Sequence, residues 1–487
     1  MPDAHTDRVL TTGTKLAFGV GQMAEGLKNT AFGLFVLFYY SQVLDMPASL
    51  CGLILFIALM FDALTDPLAG SLSDNWKSPR GRRHPFMYAA AIPLMLTFWG
   101  LFSPPDLSTT GLAIWLLVFS VLTRGAMTLY HVPHLALGAE LSEDFEERTS
   151  IVAFRQAFGY LGALTASGLA FGYFFVDSMG GRLNAAHYPD FAAVLGVLMA
   201  FTIWLSAFGT RREIPNLPRA SARQSDGVVA QLIQDTRAAF ENKSFRWLFG
   251  GVLIVFVMVG VNQTLDIYVF QYFWELQDSQ FLLLTIATPI GLILGTPLVR
   301  PLHTRFDKKA GLVIGTAGWA TLQILPVALR LFGWFPDNGD SALVPTLVSC
   351  RFIQGVIVQQ ALVSFGSMMA DVADEHELSS GRRTEGIFFG AVAFSGKLSS
   401  GLGTFFGGIG LDLISFPRGT NIQTAADVDP ETIVQLGILY GPVVAAFGII
   451  SVWCYTHYGL DRARHAQIIS ELQEIRAERA NRIVLGA

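Results

Sequence analysis

Residues 53–74 read LILFIALMFDALTDPLAGSLSD, an apolar run long enough to cross a membrane that also carries Asp62 and Asp66, four residues apart. Side chains at i and i+4 share one face of a helix, and ionised acids in lipid are costly enough to mark function. The pair therefore points to a cation-coupled transporter.

The rest of the chain supports a membrane setting. Of its 487 residues, 52% are hydrophobic and only 15% charged, a balance that excludes a water-soluble protein of this length. The formal net charge of -5 offers no basic surface, so no nucleic-acid partner is expected. Cys51, Cys350 and Cys454 lie singly in apolar stretches and read as core packing, with neither a disulfide framework nor a zinc site. The polar opening MPDAHTDRVLTT does not have the form of a signal peptide, so insertion is expected from the first span. No H-E-x-x-H, G-x-S-x-G or clustered His and Cys ligands occur, which argues against an enzyme; a receptor or membrane enzyme is the least supported class. No prosthetic group is expected.

Apolar runs of about 20 residues mark twelve spans, near 14–41, 48–74, 85–104, 109–138, 151–176, 189–209, 245–272, 279–300, 310–332, 342–370, 384–413 and 435–458. Basic residues such as Lys77, Arg80, Arg82, Arg83, Arg211, Arg212, Lys308, Lys309, Arg382 and Arg383 follow even-numbered spans, while Arg182, Arg330 and Arg418 are essentially the only ones in the opposite loops. Positive loops stay in the cytoplasm, so both termini are expected there. The polar stretch 211–244 divides the chain into an N-terminal six-helix bundle (1–210) and a C-terminal one (245–458), followed by a tail (459–487). In the tail Ile468, Ile469, Leu472 and Ile475 recur on a helical period, predicting a cytosolic amphipathic helix.

The two halves echo each other. AELSEDFEERTSIVAFRQ follows the fourth span and ADVADEHELSSGRRTEGIFFG the tenth, each setting acids near one helix end against arginines that start the next. A parallel six-plus-six repeat matches the two-bundle transporter design, with substrate bound near the midplane. Several blocks then resemble the glycoside-pentoside-hexuronide:cation symporters of the major facilitator superfamily: TKLAFGVGQ (14–22), FDALTDPLAGSLSD (61–74), RGRRHPF (80–86), HVPHLALGAELSEDFEERTSIVAFR (131–155) and FSGKLSS (394–400). The resemblance spans nearly the whole chain. It implies an all-α membrane protein of twelve transmembrane helices in two pseudo-symmetric bundles, the major facilitator fold, working by alternating access in a plasma or bacterial inner membrane. A monomer in contact with membrane lipid is expected, carrying a small-molecule substrate.

By the same resemblance Asp62 and Asp66 match the family's cation-binding acids, Thr65 and Thr128 match positions that supply or support oxygen ligands, and Lys397 matches a lysine beside the site. Carboxylates with a hydroxyl are hard ligands for Na+, and two close acids in low dielectric cannot both ionise cheaply without a partner. Occupancy by Na+, H+ or Lys397 is expected to change with conformation; a static Asp–Lys pair is the blander alternative. For the substrate, Glu25 (or Gly26, one residue on) matches a sugar-binding acid and Arg155 a family arginine, but His131 and Leu135 stand where melibiose permease has an acid and a tryptophan. That departure disfavours a galactoside. The expected substrate is a sugar or an acidic sugar derivative, Lys28, His131, Arg155 and Lys397 adding weight to a uronide or sulfonated sugar, and a lysolipid or other amphiphile is the alternative. Asp266 and Gln359 are further pocket candidates, Gln359 and Gln360 reading equally well as interhelical hydrogen-bond glue, and His131 as a partner for a carbonyl freed by Pro133. At the cytoplasmic ends, Asp74 with Arg82 or Arg83, Glu140 with Arg148, and Asp371 with Arg382 and Arg383 are read as gating pairs, the alternative being topology alone.

Overall fold

The computed structural model describes residues 10–142, 144–176, 178, 180–217, 237, 240–380 and 385–484. Among these no strand occurs, and twelve long helical segments match the twelve apolar runs. In chain order they are α1 (Thr12–Ala31, prolonged by π-helical turns Phe32–Val36 and Tyr39–Val43), α2 (Ala48–Asn75), α3 (His84–Leu101), α4 (Thr109–Glu140), α5 (Phe145–Leu169, prolonged by the π turn Ala170–Phe174) and α6 (His187–Thr210). There follow α7 (Lys243–Tyr268, prolonged by the π turn Val269–Phe273), α8 (Asp278–Arg305), α9 (Lys308–Leu331), α10 (Leu343–Ser380), α11 (Glu385–Leu413), and α12 (Pro430–Ile438) joined through the π turn Leu439–Val443 to α13 (Val444–Thr456). The tail helix is α14 (Arg462–Val484).

Among the described residues, eight of the twelve segments are long and apolar enough on their own to cross a membrane. The four that fall short are the ones with α1, α3, α5 and α11. Of these α3 has 18 residues, and α1, α5 and α11 carry Glu25, Lys28, Arg155 and Lys397 within their apolar runs. Helix starts are fixed by side-chain caps: Ser108 accepts from Gly111 N at 3.3 Å and Asp144 from Glu147 N at 2.8 Å. Two helices outrun their apolar runs the furthest. The sequence reading starts the fifth span at 151 and ends the tenth at 370, whereas α5 begins at Phe145 and α10 continues to Ser380. Hydropathy reports contact with lipid, and a helix does not end where it enters water.

α2 shows how the membrane sorts the faces of one helix. Phe61, Leu64, Leu68 and Leu72 are exposed along one side, as lipid contact requires, while Leu55, Ala58, Asp62, Ala69 and Ser73 are buried along the other. The acid at 62 thus lies on the packed face.

The chain forms two compact units. The first comprises Met1–Gln224, Gly260–Thr285 and Gly401–Leu436. Within it α1 packs on α5 and α6, α3 on α4 and α6, and α2 on α4. α1 and α5 approach so closely that a β-carbon on Gly26 would collide with the carbonyl oxygen of Gly159. Phe35, Tyr39, Phe102, Phe171, Phe175, Tyr188 and Phe191 fill the end of this unit where α1 hands over to α2. The segments 260–285 and 401–436 join at that same end. Ser41 and Tyr268 share a hydroxyl hydrogen bond of 2.5 Å, Tyr272 donates to Ile422 O at 2.8 Å, and Asp412 accepts from the first backbone amides of α2, Ala48 N at 3.3 Å and Ser49 N at 2.9 Å.

The second unit comprises Ser225–Val259, Ile286–Ser400 and Gly437–Ala487. α9 packs on α10 and α13, and α14 docks on α10. Ile468 and Leu472 of α14 are buried with Phe245, Leu248, Met368 and Val372, while Ile475 stays exposed. The tail is therefore a docked helix and part of this unit's core. His465 Nε2 sits 3.2 Å from Asp374 and 3.5 Å from Asp371, and Arg462 donates to His303 O at 2.8 Å. Cys51 and Cys454 are buried, Cys350 is half-buried, and all three are free thiols.

Candidate cation and substrate sites

Asp62 and Asp66 lie on the face of α2 that meets α4. Thr128, buried on α4, places its hydroxyl 2.6 Å from Asp62 Oδ1 and 3.0 Å from Asp66 Oδ1. One hydroxyl carries one proton, so it donates to one acid at a time while its oxygen remains available to a cation. Two carboxylates and a hydroxyl where α2 packs on α4 form a hard oxygen donor set of the kind that suits Na+ or a proton. Among the described residues no cluster of three or more His, Cys, Asp or Glu side chains could hold a metal ion. Thr65, half-buried on α2, turns its hydroxyl back to donate to Asp62 O at 3.1 Å. Lys397 is half-buried on α11.

One residue here escaped the sequence reading. Arg124, one turn before Thr128 on α4, brings Nη1 to 3.8 Å from Asp62 Oδ2 and sets its guanidinium 4.8 Å from the ring centre of Phe32. The signal was present in the sequence: an arginine in the middle of an apolar run is an intramembrane ionisable residue, and such residues are functional candidates by default.

A second polar cluster lies between α1 and α4. His131 Nε2 sits 2.7 Å from Glu25 Oε2, Gln22 donates to the same carboxylate, and Gln22 Nε2 approaches His131 Nε2 at 3.5 Å. Arg155 on α5 and the buried Lys28 are within electrostatic reach of Glu25. Position 26 faces the α5 backbone with no room for a side chain, so Glu25 is the acid that reaches this cluster. The carbonyl-bonding histidine on this Pro133-interrupted helix is His134, which donates to Phe18 O at 2.9 Å and stacks on Phe18 at 4.4 Å. His131 is thereby left to Glu25. The Nε of Arg155 is buried with no hydrogen-bond partner, a spare donor beside the cluster.

Asp266 is half-buried on α7. Gln359 donates to Thr296 Oγ1 at 3.1 Å and Gln360 to Gly295 O at 2.9 Å, so both tie α10 to α8. Where α2 turns into α3, Arg83 donates to Asp74 and, through Nε at 3.1 Å and Nη2 at 2.6 Å, to Glu140, which also accepts from Arg82 at 2.8 Å. Arg148 caps the end of α4 instead, donating to Ser142 O at 2.7 Å. In the second unit Asp371 accepts from Lys308 at 2.8 Å. Arg382 and Arg383 lie outside the described residues.

Residues 17–462 match the family model described as MFS/sugar transport protein. The chain is 24% identical to the inner membrane symporter YicJ of Escherichia coli strain K12, covering 92% of this chain and 90% of that one. It is 26% identical to a protein named as a sulfoquinovose importer of Salmonella typhimurium, covering 96% and 94%. It is also 24% identical to the sodium-dependent lysophosphatidylcholine symporter 1 of Gallus gallus, covering 96% and 90%. Among solved structures, a bacterial homologue of the human lysosomal transporter Spinster superposes with a TM-score of 0.62 at 13% identity, covering 94% of this chain and 97% of that one. That likeness is one of fold. With a family model spanning most of its length and a bundle of apolar helices built around buried charges, the chain belongs to the MFS/sugar transport protein family of multi-pass membrane transporters, of the glycoside-pentoside-hexuronide branch, and is not an enzyme.

Proposed function

We propose that this chain is a secondary transporter of the plasma membrane that couples a cation, Na+ or H+, to an acidic sugar derivative. The observation that carries the reading is the hydroxyl of Thr128 shared by Asp62 and Asp66 on the packed face of a membrane helix. The cation occupies that site, with Thr65 as a further contributor, while Lys397 is a substrate candidate and a rival to the cation for the acids. The substrate sits beside it against Glu25, Lys28, His131 and Arg155, with Asp266 and Gln359 as candidates from the other half. Three cationic or ionisable donors around one acid suit a carboxylate or sulfonate, whose oxygens an arginine holds bidentately. A cation that orders the shared face favours substrate binding, and by linkage the substrate favours the cation. The relative named as a sulfoquinovose importer supports a sulfonated sugar.

The termini lie in the cytoplasm on this reading, with 1–210 and 245–458 as the two bundles, 211–244 between them, and the transporter acting as a monomer in contact with membrane lipid. Asp74, Arg82, Arg83, Glu140, Arg148, Asp371, Arg382 and Arg383 then gate the cytoplasmic face. A second reading, a lysolipid substrate, is favoured by the lysophosphatidylcholine symporter among the relatives.

The test is uptake by proteoliposomes of radiolabelled sulfoquinovose, glucuronate, glucose and lysophosphatidylcholine under an imposed Na+ or proton gradient. Accumulation of an acidic sugar that collapses with the gradient is the expected result. Accumulation of lysophosphatidylcholine alone moves the assignment to the second reading, and gradient-independent flux of every compound removes the coupling.

A further inference from the structure

We infer that Arg124 is a tethered cation of the acid site: it competes with the coupling ion for Asp62 and, once displaced, offers its guanidinium to the acidic group of the substrate. The inference rests on the cation-site reading above and adds to it the element that links the two ligands.

The two oxygens of Asp62 face different partners on one helix. Oδ1 takes the hydroxyl of Thr128 at 2.6 Å, and Oδ2 faces Nη1 of Arg124 at 3.8 Å. The second distance is within ion-pair range but beyond the 2.7–3.2 Å of an N–H···O hydrogen bond. Arg124 and Asp62 are both largely withdrawn from solvent, their side chains 11% and 7% exposed. Even so, Arg124 Nε is buried with no hydrogen-bond partner. The contrast with Arg83 is direct, because that guanidinium grips Glu140 through both Nε and Nη2. An arginine whose purpose is to hold two helices together saturates its donors on the acid in that way. Arg124 stands within ion-pair range of Asp62 across a gap and keeps its Nε donor unused.

The surroundings of Arg124 indicate where its donors go. Glu25 meets His131, and Phe32 meets Arg124. Residue numbers rise along α1 as they fall along α4, so the two helices run antiparallel, and Lys28 lies on α1 between these two levels. A small cation entering among Asp62, Asp66 and Thr128 repels the guanidinium from Asp62. The freed planar fork then joins Lys28 along the same strip, in a geometry that matches a carboxylate or sulfonate. Cation and anionic substrate thereby exchange one internal ion pair for two external ones, which couples them reciprocally.

The experiment is a Na+ titration of the purified full-length protein, read as the rise in melting temperature, with and without sulfoquinovose or glucuronate. In R124Q, with the competitor removed, the Na+ concentration giving half the effect is expected to fall at least tenfold. Na+ should also no longer tighten binding of the acidic sugar. R124K, which keeps the charge, stays within about threefold of the wild type, because a cation at this distance interacts by charge more than by shape. A Na+ affinity in R124Q that is unchanged, weaker or absent overturns the inference, as does an undiminished effect of Na+ on sugar binding. If R124Q does not survive purification, F32A replaces it, since it removes the ring that holds the guanidinium beside Asp62; tighter Na+ binding is again expected and unchanged binding overturns the idea. D66N separates the two layers. If D66N responds to Na+ as the wild type does, the cation-site reading itself fails, whereas loss of response in D66N with no change in R124Q rejects the role of Arg124 alone.

Discussion

Helices α2 and α8 are each 28 residues long, each carries a proline at the same position, Pro67 and Pro297, and each follows a π turn closed by an acidic residue with positive φ, Asp45 at 57° and Glu275 at 49°. Counted from their first residues, Asp66 and Thr296 coincide, and Asp62 coincides with Leu292. Each of the first two is tied to the helix that packs behind it: Thr128 donates to Asp66 at 3.0 Å, and Gln359 donates to Thr296 at 3.1 Å. The repeat reproduces the frame and changes the chemistry. A neutral amide-to-hydroxyl bond joins one pair of helices where acids join the other, so the frame does not require acids at this position. On the proposed reading, the acids of α2 are there for what they bind.

The comparison can be broken first at its charged member. D66N is expected to lower gradient-driven accumulation of substrate by about 30- to 150-fold, a charged ligand being worth roughly 2–3 kcal/mol, while the protein remains folded. T296V, at the matching position of α8, should stay within about twofold, since a single exposed hydrogen bond contributes little. Equal losses in vesicle uptake would show that the two sites do the same work.

The turns beyond these helices differ in the same sense, because Arg83 gathers Asp74 and Glu140 whereas Lys308 meets Asp371. Reversing the charge in D74R should cut turnover by about tenfold with little change in substrate affinity, as expected for a contact made in one conformation and broken in another. A fall in affinity with turnover unchanged would place Asp74 in binding instead of gating. Removing only the shared hydroxyl, in T128V, should weaken cation binding by about tenfold, near 1.4 kcal/mol. The Na+ dependence of the melting temperature measures it directly, and an unchanged midpoint would take Thr128 out of the site.

The smallest effect is expected in the loop between the last two spans. Asp427 accepts from Thr424 N at 2.8 Å, Thr424 Oγ1 at 3.0 Å and Gln423 N at 3.0 Å, bonds that hold its carboxyl below the usual carboxylate range. A carboxylate stabilised in the folded state contributes above its unfolded pKa, and that contribution is lost as pH falls through the folded value. D427N should therefore lower the melting temperature slightly at neutral pH, and the difference should close below about pH 3.8. A difference independent of pH would assign the effect to packing.

Much of this was legible in the sequence for a physical reason: lipid demands long apolar runs, and the cost of moving basic residues across a membrane sorts them into alternate loops. The acid pair stood out against that background. Arg124 did not, because it sits in a run that reads as a span on hydropathy alone, away from the loops where basic residues signal topology. Of the Gln22–Glu25–His131 cluster only Glu25 and His131 were legible, and only as separate residues, since their meeting depends on the register of α1 against α4, which the tight approach of α1 to α5 at Gly26 helps to set. The extra turns of α10 and the docking of Ile468 and Leu472 were out of reach for a different reason. Both concern helix in water or against protein, where hydropathy carries no information.

The matched corners at Asp45 and Glu275 have a practical side. A non-glycine residue in the left-handed region carries a local strain of about 1 kcal/mol or more relative to glycine. Each corner is nevertheless closed by the same pair of backbone bonds, Leu44 N to Tyr39 O and Met46 N to Tyr40 O in one half, Trp274 N to Val269 O and Leu276 N to Phe270 O in the other. Each works as a loaded spring of fixed angle. It sets the direction in which α2 or α8 leaves the preceding helix, and in α2 it sets the depth at which the acids sit. Glycine at either place would relax the spring and widen the range of exit angles, exchanging a little folding strain for a looser aim.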